Sequence, residues 1–160
     1  MTDWIIDATR FAERRDTIEA ELSIADLPRL ADEAIDSFVP VRVHVEGVRS
    51  PRGKPGLRAR LEATVTLQCQ RCMRPVDVRL APDSHFELVG SERELDADED
   101  DQWDLLVASD RLDLRPVLED ELLLALPFAP MHETCDSGAQ ADAGEKVMPF
   151  AALAQLKRGA

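Results

Sequence analysis

Two short segments carry the side chains best suited to chemistry. Cys69-Gln-Arg-Cys72 has the two-residue gap that lets one turn present two sulfurs to a metal, and His132-Glu-Thr-Cys135 repeats the gap with an imidazole in first place. Together they make a Cys3His set, the donor composition of a tetrahedral zinc site; zinc is a cofactor this set could take, and nothing else in the chain requires one. Two other readings stand beside it. Cys69 could be a buried core thiol with Cys72 merely in the turn after it, or the pair could be redox-active. A reactive Cys-x-x-Cys usually opens a helix whose dipole lowers the thiol pKa, whereas this one falls between strands.

Other catalytic chemistry finds no seat. His44, His85 and His132 are scattered, and there is neither a Gly-x-Ser-x-Gly elbow nor a Gly-x-x-x-x-Gly-Lys phosphate loop. The carboxylates cluster by charge rather than as an acid/base pair, and Asp98-Glu-Asp-Asp lacks the spacing and glycine of a calcium loop. No catalytic residue is expected, and the protein reads as a non-enzyme.

The other chemical feature is cationic. The chain of 160 residues has a net charge of -13, which excludes an indiscriminate polyanion binder. Between Arg42 and Arg79, however, nine basic residues face three acidic ones, so this stretch carries +6 and the remainder -19. Arg58 and Arg60 share the polar face of a strand, Arg49, Arg52 and Lys54 lie in the loop before it, and Arg71 and Arg74 at its far end. These seven are the candidate RNA-binding residues. The stretch holds no aromatic residue, so it should read phosphates and shape more readily than stacked bases. The alternative is a solvated strand face whose arginines offset the acidic remainder.

The elements that must position these groups are legible as periodicity. Val41, Val43 and Val45 alternate with polar residues, as do Leu57, Ala59, Leu61, Ala63, Val65, Leu67 and Cys69, and then Val76, Val78 and Leu80. Three antiparallel strands follow, with Arg49 to Gly56 and Gln70 to Pro75 as their turns, so the Cys-x-x-Cys sits at a hairpin end. Phe86 to Val89 and Asp104 to Ala108 suggest further short strands. Asp26 is expected to cap a helix with Pro28 in its first turn, while Glu19 to Ile24 is too mixed to assign. The clearest helix starts at Asp113, buries Leu114, Val117, Leu118, Leu122, Ala125 and Leu126, turns Glu119, Asp120 and Glu121 mostly outward, and stops at Pro127. An α+β domain results, an antiparallel sheet (a meander or a partly open barrel) with a few packed helices.

A single domain over 1–160 is expected, with a solvated acidic loop at 91–103 and a flexible linker at 137–146 before a short helix at 150–157. Asp3 and Asp7 interrupt the apolar residues at the start, and no run approaches the roughly 20 apolar residues that span a bilayer. These features point to the cytoplasm and to no membrane partner.

Three pieces in order, Leu67-Gln-Cys-Gln-Arg-Cys-Met-Arg-Pro, Leu118-Glu-Asp-Glu-Leu-Leu-Leu-Ala-Leu-Pro-Phe-Ala-Pro-Met-His with Cys135 after it, and Pro149-Phe-Ala-Ala-Leu-Ala-Gln-Leu-Lys, resemble the bacterial YceD-type large ribosomal RNA subunit accumulation proteins. The resemblance implies a cytoplasmic, non-enzymatic factor for accumulation or processing of large-subunit (23S) ribosomal RNA, with Cys69, Cys72, Glu119, Asp120, Glu121, Pro127, Pro130 and His132 as motif positions. Relatives can carry a further cysteine-rich segment where this chain has Cys135 alone. The expected partner is that RNA or a precursor particle. The alternative is an acidic adaptor or chaperone for a basic ribosomal protein, without direct RNA contact.

Overall fold

The computed structural model describes residues 3–97 and 103–135. The acidic run Asp98 to Asp101, the linker at 137–146 and the helix expected at 150–157 lie outside the described residues.

The alternating segments form the expected strands. β3 (Pro40–Arg49), β4 (Pro55–Gln68), β5 (Pro75–Leu80) and β6 (Asp83–Val89) follow an unread β2 (Thr17–Ser23), and β7 (Asp104–Val107) closes the order β2-β3-β4-β6-β7, with β5 also on β4. β2 carries the same period of two, Ile18, Ala20 and Leu22 against Thr17, Glu19 and Glu21, which the window Glu19 to Ile24 cuts short; it pairs with β3, Glu19 opposite His44 and Leu22 opposite Val41. All these pairs are antiparallel except β6 with β7. The sheet stays open rather than closing into a barrel. A separate two-stranded ladder joins β1 (Ile5–Ile6) to β8 (Leu112–Asp113).

Strand β4 organises the domain. Its 14 residues bury every alternate side chain from Leu57 to Leu67, with Cys69 continuing that face just past its end; β3 pairs with its first half, and on its other edge β6 and then β5 follow one another, with the Leu61 N–H bonded to Pro82 O at 3.0 Å where they meet. In the β3–β4 register Pro40 falls opposite Thr64, and a residue with no N–H to donate is where β3 parts from β4.

Helices cover the buried face. α1 (Ala8–Arg14) is capped by Asp7, whose side chain accepts the Arg10 N–H, and sets Ala8, Phe11 and Ala12 against β3 and β4. The approach is close enough that a Cβ on Gly47 would lie 2.5 Å from Phe11 O, so glycine is required there. α3 (Leu114–Leu124) is capped by Asp113 as expected and buries Leu114, Leu118 and Leu122.

Three expectations need correction. Asp26 does not cap α2 (Pro28–Glu33): it closes a 3-10 turn, Ile24–Asp26, by a reciprocal box with Ser23, and the N-cap position of α2 is Leu27, which has no side chain to offer. The segment at 91–103 is not wholly a loop, since Glu92–Ala97 winds into a 3-10 helix. Glu119 does not face water; it is 5% exposed.

Candidate functional site

At the β4–β5 end the chain reverses through Gln70–Met73, with Met73 left-handed at φ 60. The segment after α3 returns to this turn. The Gln70 N–H donates to Pro130 O at 2.8 Å, and the Arg71 guanidinium donates to His132 O at 3.1 Å. Proline at 127 and 130 stiffens that return by fixing φ.

The result is that Cys69, Cys72, His132 and Cys135 converge, with all four ligand atoms within 4.8 Å of one another. Cys69 Sγ lies 3.6 Å from Cys135 Sγ, and His132 Nδ1 lies 3.4 Å from Cys72 Sγ and 3.8 Å from Cys135 Sγ. Bonds of about 2.3 Å to sulfur and about 2.0 Å to nitrogen give tetrahedral edges of about 3.8 and 3.5 Å, so these three separations match the edges of a four-coordinate site. The imidazole is already oriented as a ligand, because Nε2–H donates to Pro75 O at 2.9 Å and leaves the Nδ1 lone pair facing the sulfurs. Cys69 is a core thiol as well as a donor, fully buried at the end of the β4 apolar face.

The electrostatics favour the thiolate at Cys69 and Cys72. Burial opposes ionisation of Cys69, but the backbone N–H groups of Cys72 and Arg71 and the contact with His132 outweigh it and hold the thiol at about 5, from an ordinary 9.0. Cys72 is lowered chiefly by the Arg74 backbone N–H, whereas burial pushes Cys135 up against the opposing pull of Arg71. His132 is raised, first by its hydrogen bond with Cys69. Backbone N–H groups aimed at sulfur stabilise the deprotonated ligand that a divalent metal needs. The cluster can therefore hold a metal ion and clasp the β4–β5 turn to the chain after α3.

The seven candidate RNA-binding cations do not form one surface. At roughly 3.3 Å per residue the 14 residues of β4 separate its two hairpin ends by up to about 45 Å. At the first end Arg49 donates to Gly53 O, and Lys54 Nζ and Arg52 Nε lie 3.2 and 3.8 Å from the carboxylate of Glu87, itself 1% exposed. Mid-strand, Arg58 donates to both Asp83 oxygens at 2.8 and 2.6 Å and also faces Glu46, and Arg60 reaches Glu46 at 3.5 Å. Arg71 and Arg74 stand at the clasp, the former against Cys135 and the latter against Cys72.

The acidic motif positions also acquire places. Glu119 accepts the backbone N–H groups of Arg29 and Leu30 at the start of α2, Asp120 takes the Arg29 guanidinium at 2.5 Å, and Glu121 accepts the Ser84 hydroxyl. Sequence periodicity had no signal for Glu119 or Glu87, since a charged residue is ordinarily placed in water. No helix among the described residues is long and apolar enough to cross a membrane.

No solved structure matches the chain. A relative from Haemophilus influenzae, named large ribosomal RNA subunit accumulation protein YceD, is 28% identical over 165 aligned positions that cover 96% of this chain and 94% of the relative. The sequence profile of the family described by that same name matches residues 57–157, a span that starts on β4 and contains the Cys-x-x-Cys, the acidic triplet of α3 and the returning His132 and Cys135. On that match the chain belongs to the large ribosomal RNA subunit accumulation protein YceD family.

Proposed function

We propose that the protein acts in the cytoplasm, without catalysing a reaction, to promote accumulation of large-subunit ribosomal RNA, by holding that RNA or a precursor particle at its metal-clasped end. One observation carries the reading: four sulfur- and nitrogen-bearing side chains, in two pairs about sixty positions apart, meet with their ligand atoms within 4.8 Å of one another, and the meeting holds Arg71 at an exposed hairpin end. Zinc is the ion we assign, since three sulfurs and one imidazole nitrogen are its preferred structural donors. Cys69, Cys72, His132 and Cys135 would hold it, and its contribution would be architectural. Of the seven cations, Arg71 is the one we assign to phosphate contact, because its bond to His132 O holds it at the hairpin end; Arg58, Arg60, Arg52 and Lys54 face carboxylates and hold the sheet together.

The deciding experiment is cellular. Depleting the protein should lower large-subunit relative to small-subunit ribosomal RNA, and wild type but not Cys72→Ser should restore the ratio. An unchanged ratio on depletion would overturn the role, and crosslinking followed by identification of both RNA and protein partners would name what is held.

A second reading, an adaptor for a basic ribosomal protein, has its own support. Ile35 and Phe38 are exposed, Phe38 at 86%, on a stretch with Asp32, Glu33 and Asp36 and no basic residue. Partners that survive nuclease treatment would favour it.

A further inference from the structure

The chain after α3 carries a feature that neither the sheet nor the Cys3His cluster explains. Phe128 is fully exposed, and Met131 and Met73 are more than half exposed, on segments that converge on the clasp. Their exposure does not come from a loose backbone. Pro127 and Pro130 flank Phe128 closely, Pro130 O is bonded to the Gln70 N–H, His132 O to Arg71, and His132 Nε2 to Pro75 O. A rigid backbone that presents an aromatic ring and two thioethers to water forgoes their burial, and such surfaces mark binding sites.

The charge around them selects the partner. The turn between β4 and β5 and the returning segment carry Arg71 and Arg74 against Glu133, in a chain whose total is -13. It is therefore one of the few places where a polyanion is not repelled. Phe38, another strongly exposed ring among the described residues, follows Asp32, Glu33 and Asp36 in the chain and serves as the internal contrast. Arginine beside an exposed aromatic ring is the chemistry of single-stranded RNA: the guanidinium takes a phosphate and the ring stacks on a base that is free to swing out. A base inside a duplex is already stacked on its neighbours and would not be available to the ring.

We infer that Phe128 is a stacking platform for an unpaired RNA base, with Arg71 holding an adjacent phosphate, so that the clasped end reads single-stranded rather than duplex RNA. This rests on the RNA half of the function proposed above. The sequence pattern alone favours phosphate and shape contacts because the basic stretch lacks an aromatic residue; the fold supplies one from beyond α3.

The experiment is fluorescence anisotropy of the full chain with a labelled, unstructured single-stranded RNA of about 12 nucleotides, and with a duplex of equal length as competitor. Phe128→Ala should weaken binding about tenfold, Phe128→Trp should retain it, and Phe38→Ala should stay within about twofold of wild type. Both rings lie outside the core, so neither substitution threatens folding. Phe128→Ala binding as tightly as wild type, or the duplex competing as well as the single strand, overturns the inference while leaving RNA binding elsewhere on the protein intact. Wild-type protein that binds neither probe overturns the RNA reading beneath it as well.

Discussion

Glu119 and Arg29, 90 positions apart, are joined through backbone and side chain: the Glu119 carboxylate accepts the Arg29 backbone N–H at 2.7 Å and its Nε–H at 3.0 Å, and a second guanidinium nitrogen lies 2.9 Å away. The same carboxylate takes the Leu30 N–H at 3.2 Å, so a side chain of α3 does for α2 what Leu27 cannot. Helix N-termini leave N–H groups without intrahelical partners, and a negative charge there is favoured by the dipole as well.

Glu119→Ala should therefore loosen α2 against α3. Loss of charge-assisted bonds at a buried position is expected to cost about 2–3 kcal/mol, read as a lower urea midpoint with an unchanged slope. Asp120→Ala, which removes only an exposed partner of Arg29, should cost much less. Equal losses would show that the two acids share a role.

Metal content gives the second prediction. Purified protein should contain one zinc per chain, and a strong chelator should lower the melting temperature, since binding to the folded state alone adds stability by mass action. Cys72→Ser and His132→Ala should lose most of the metal. Melting curves that are identical with and without chelator would show that the clasp closes without an ion.

Salt dependence separates the cations. Each phosphate contact removed from a single-strand interface lowers the slope of log affinity against log salt by about 0.7. Arg71→Ala should reduce the slope by about that amount, with zinc content measured alongside because Arg71 touches His132 and Cys135. Arg58→Ala should leave the slope unchanged and lower stability instead, by releasing Asp83 and Glu46.

Acid should unfold the protein through a definable set of carboxylates. Arg58 holds Asp83 below its ordinary 3.8, and Arg115 does the same for Asp113. Burial pushes Glu87 up, but Ser50, Lys54 and Arg52 together bring it below 4.5. Groups whose pKa is lower in the folded than in the unfolded chain add stability that is complete above the unfolded values and is lost as pH falls through the folded ones. The denaturation midpoint should be flat with respect to these groups from pH 7 to about 5 and fall below that. Glu87→Gln should reduce the steepness of the fall; a profile identical to wild type would remove Glu87 from the set.

Much of the fold is written in local pattern. The alternation from Leu57 to Leu67 is also the buried face of β4, and Asp113 caps α3 where the apolar periodicity begins. Both follow from the geometry of a single element, which the chain carries without reference to its neighbours. β2 is legible too, as the alternation of Ile18, Ala20 and Leu22 with Glu19 and Glu21, once the window opens at Thr17 rather than Glu19. The burial of Glu119 and Glu87 was not legible, because each depends on a partner distant in sequence: the bare amides of α2 for Glu119, and the Ser50–Lys54 turn for Glu87.

The candidate site divides in the same way. Sequence by itself determined the donors, two pairs with a two-residue gap, and the strand hairpin that carries the first of them, since spacing within one turn is local geometry. Only the tertiary structure decided that the second pair closes on the first, that most of the strand-face arginines are answered by carboxylates on neighbouring strands, and that the segment bearing Phe128 returns to the hairpin end that bears Arg71. Those are distances between segments about sixty residues apart, set by how α3 packs on the sheet and where its C-terminus delivers the chain.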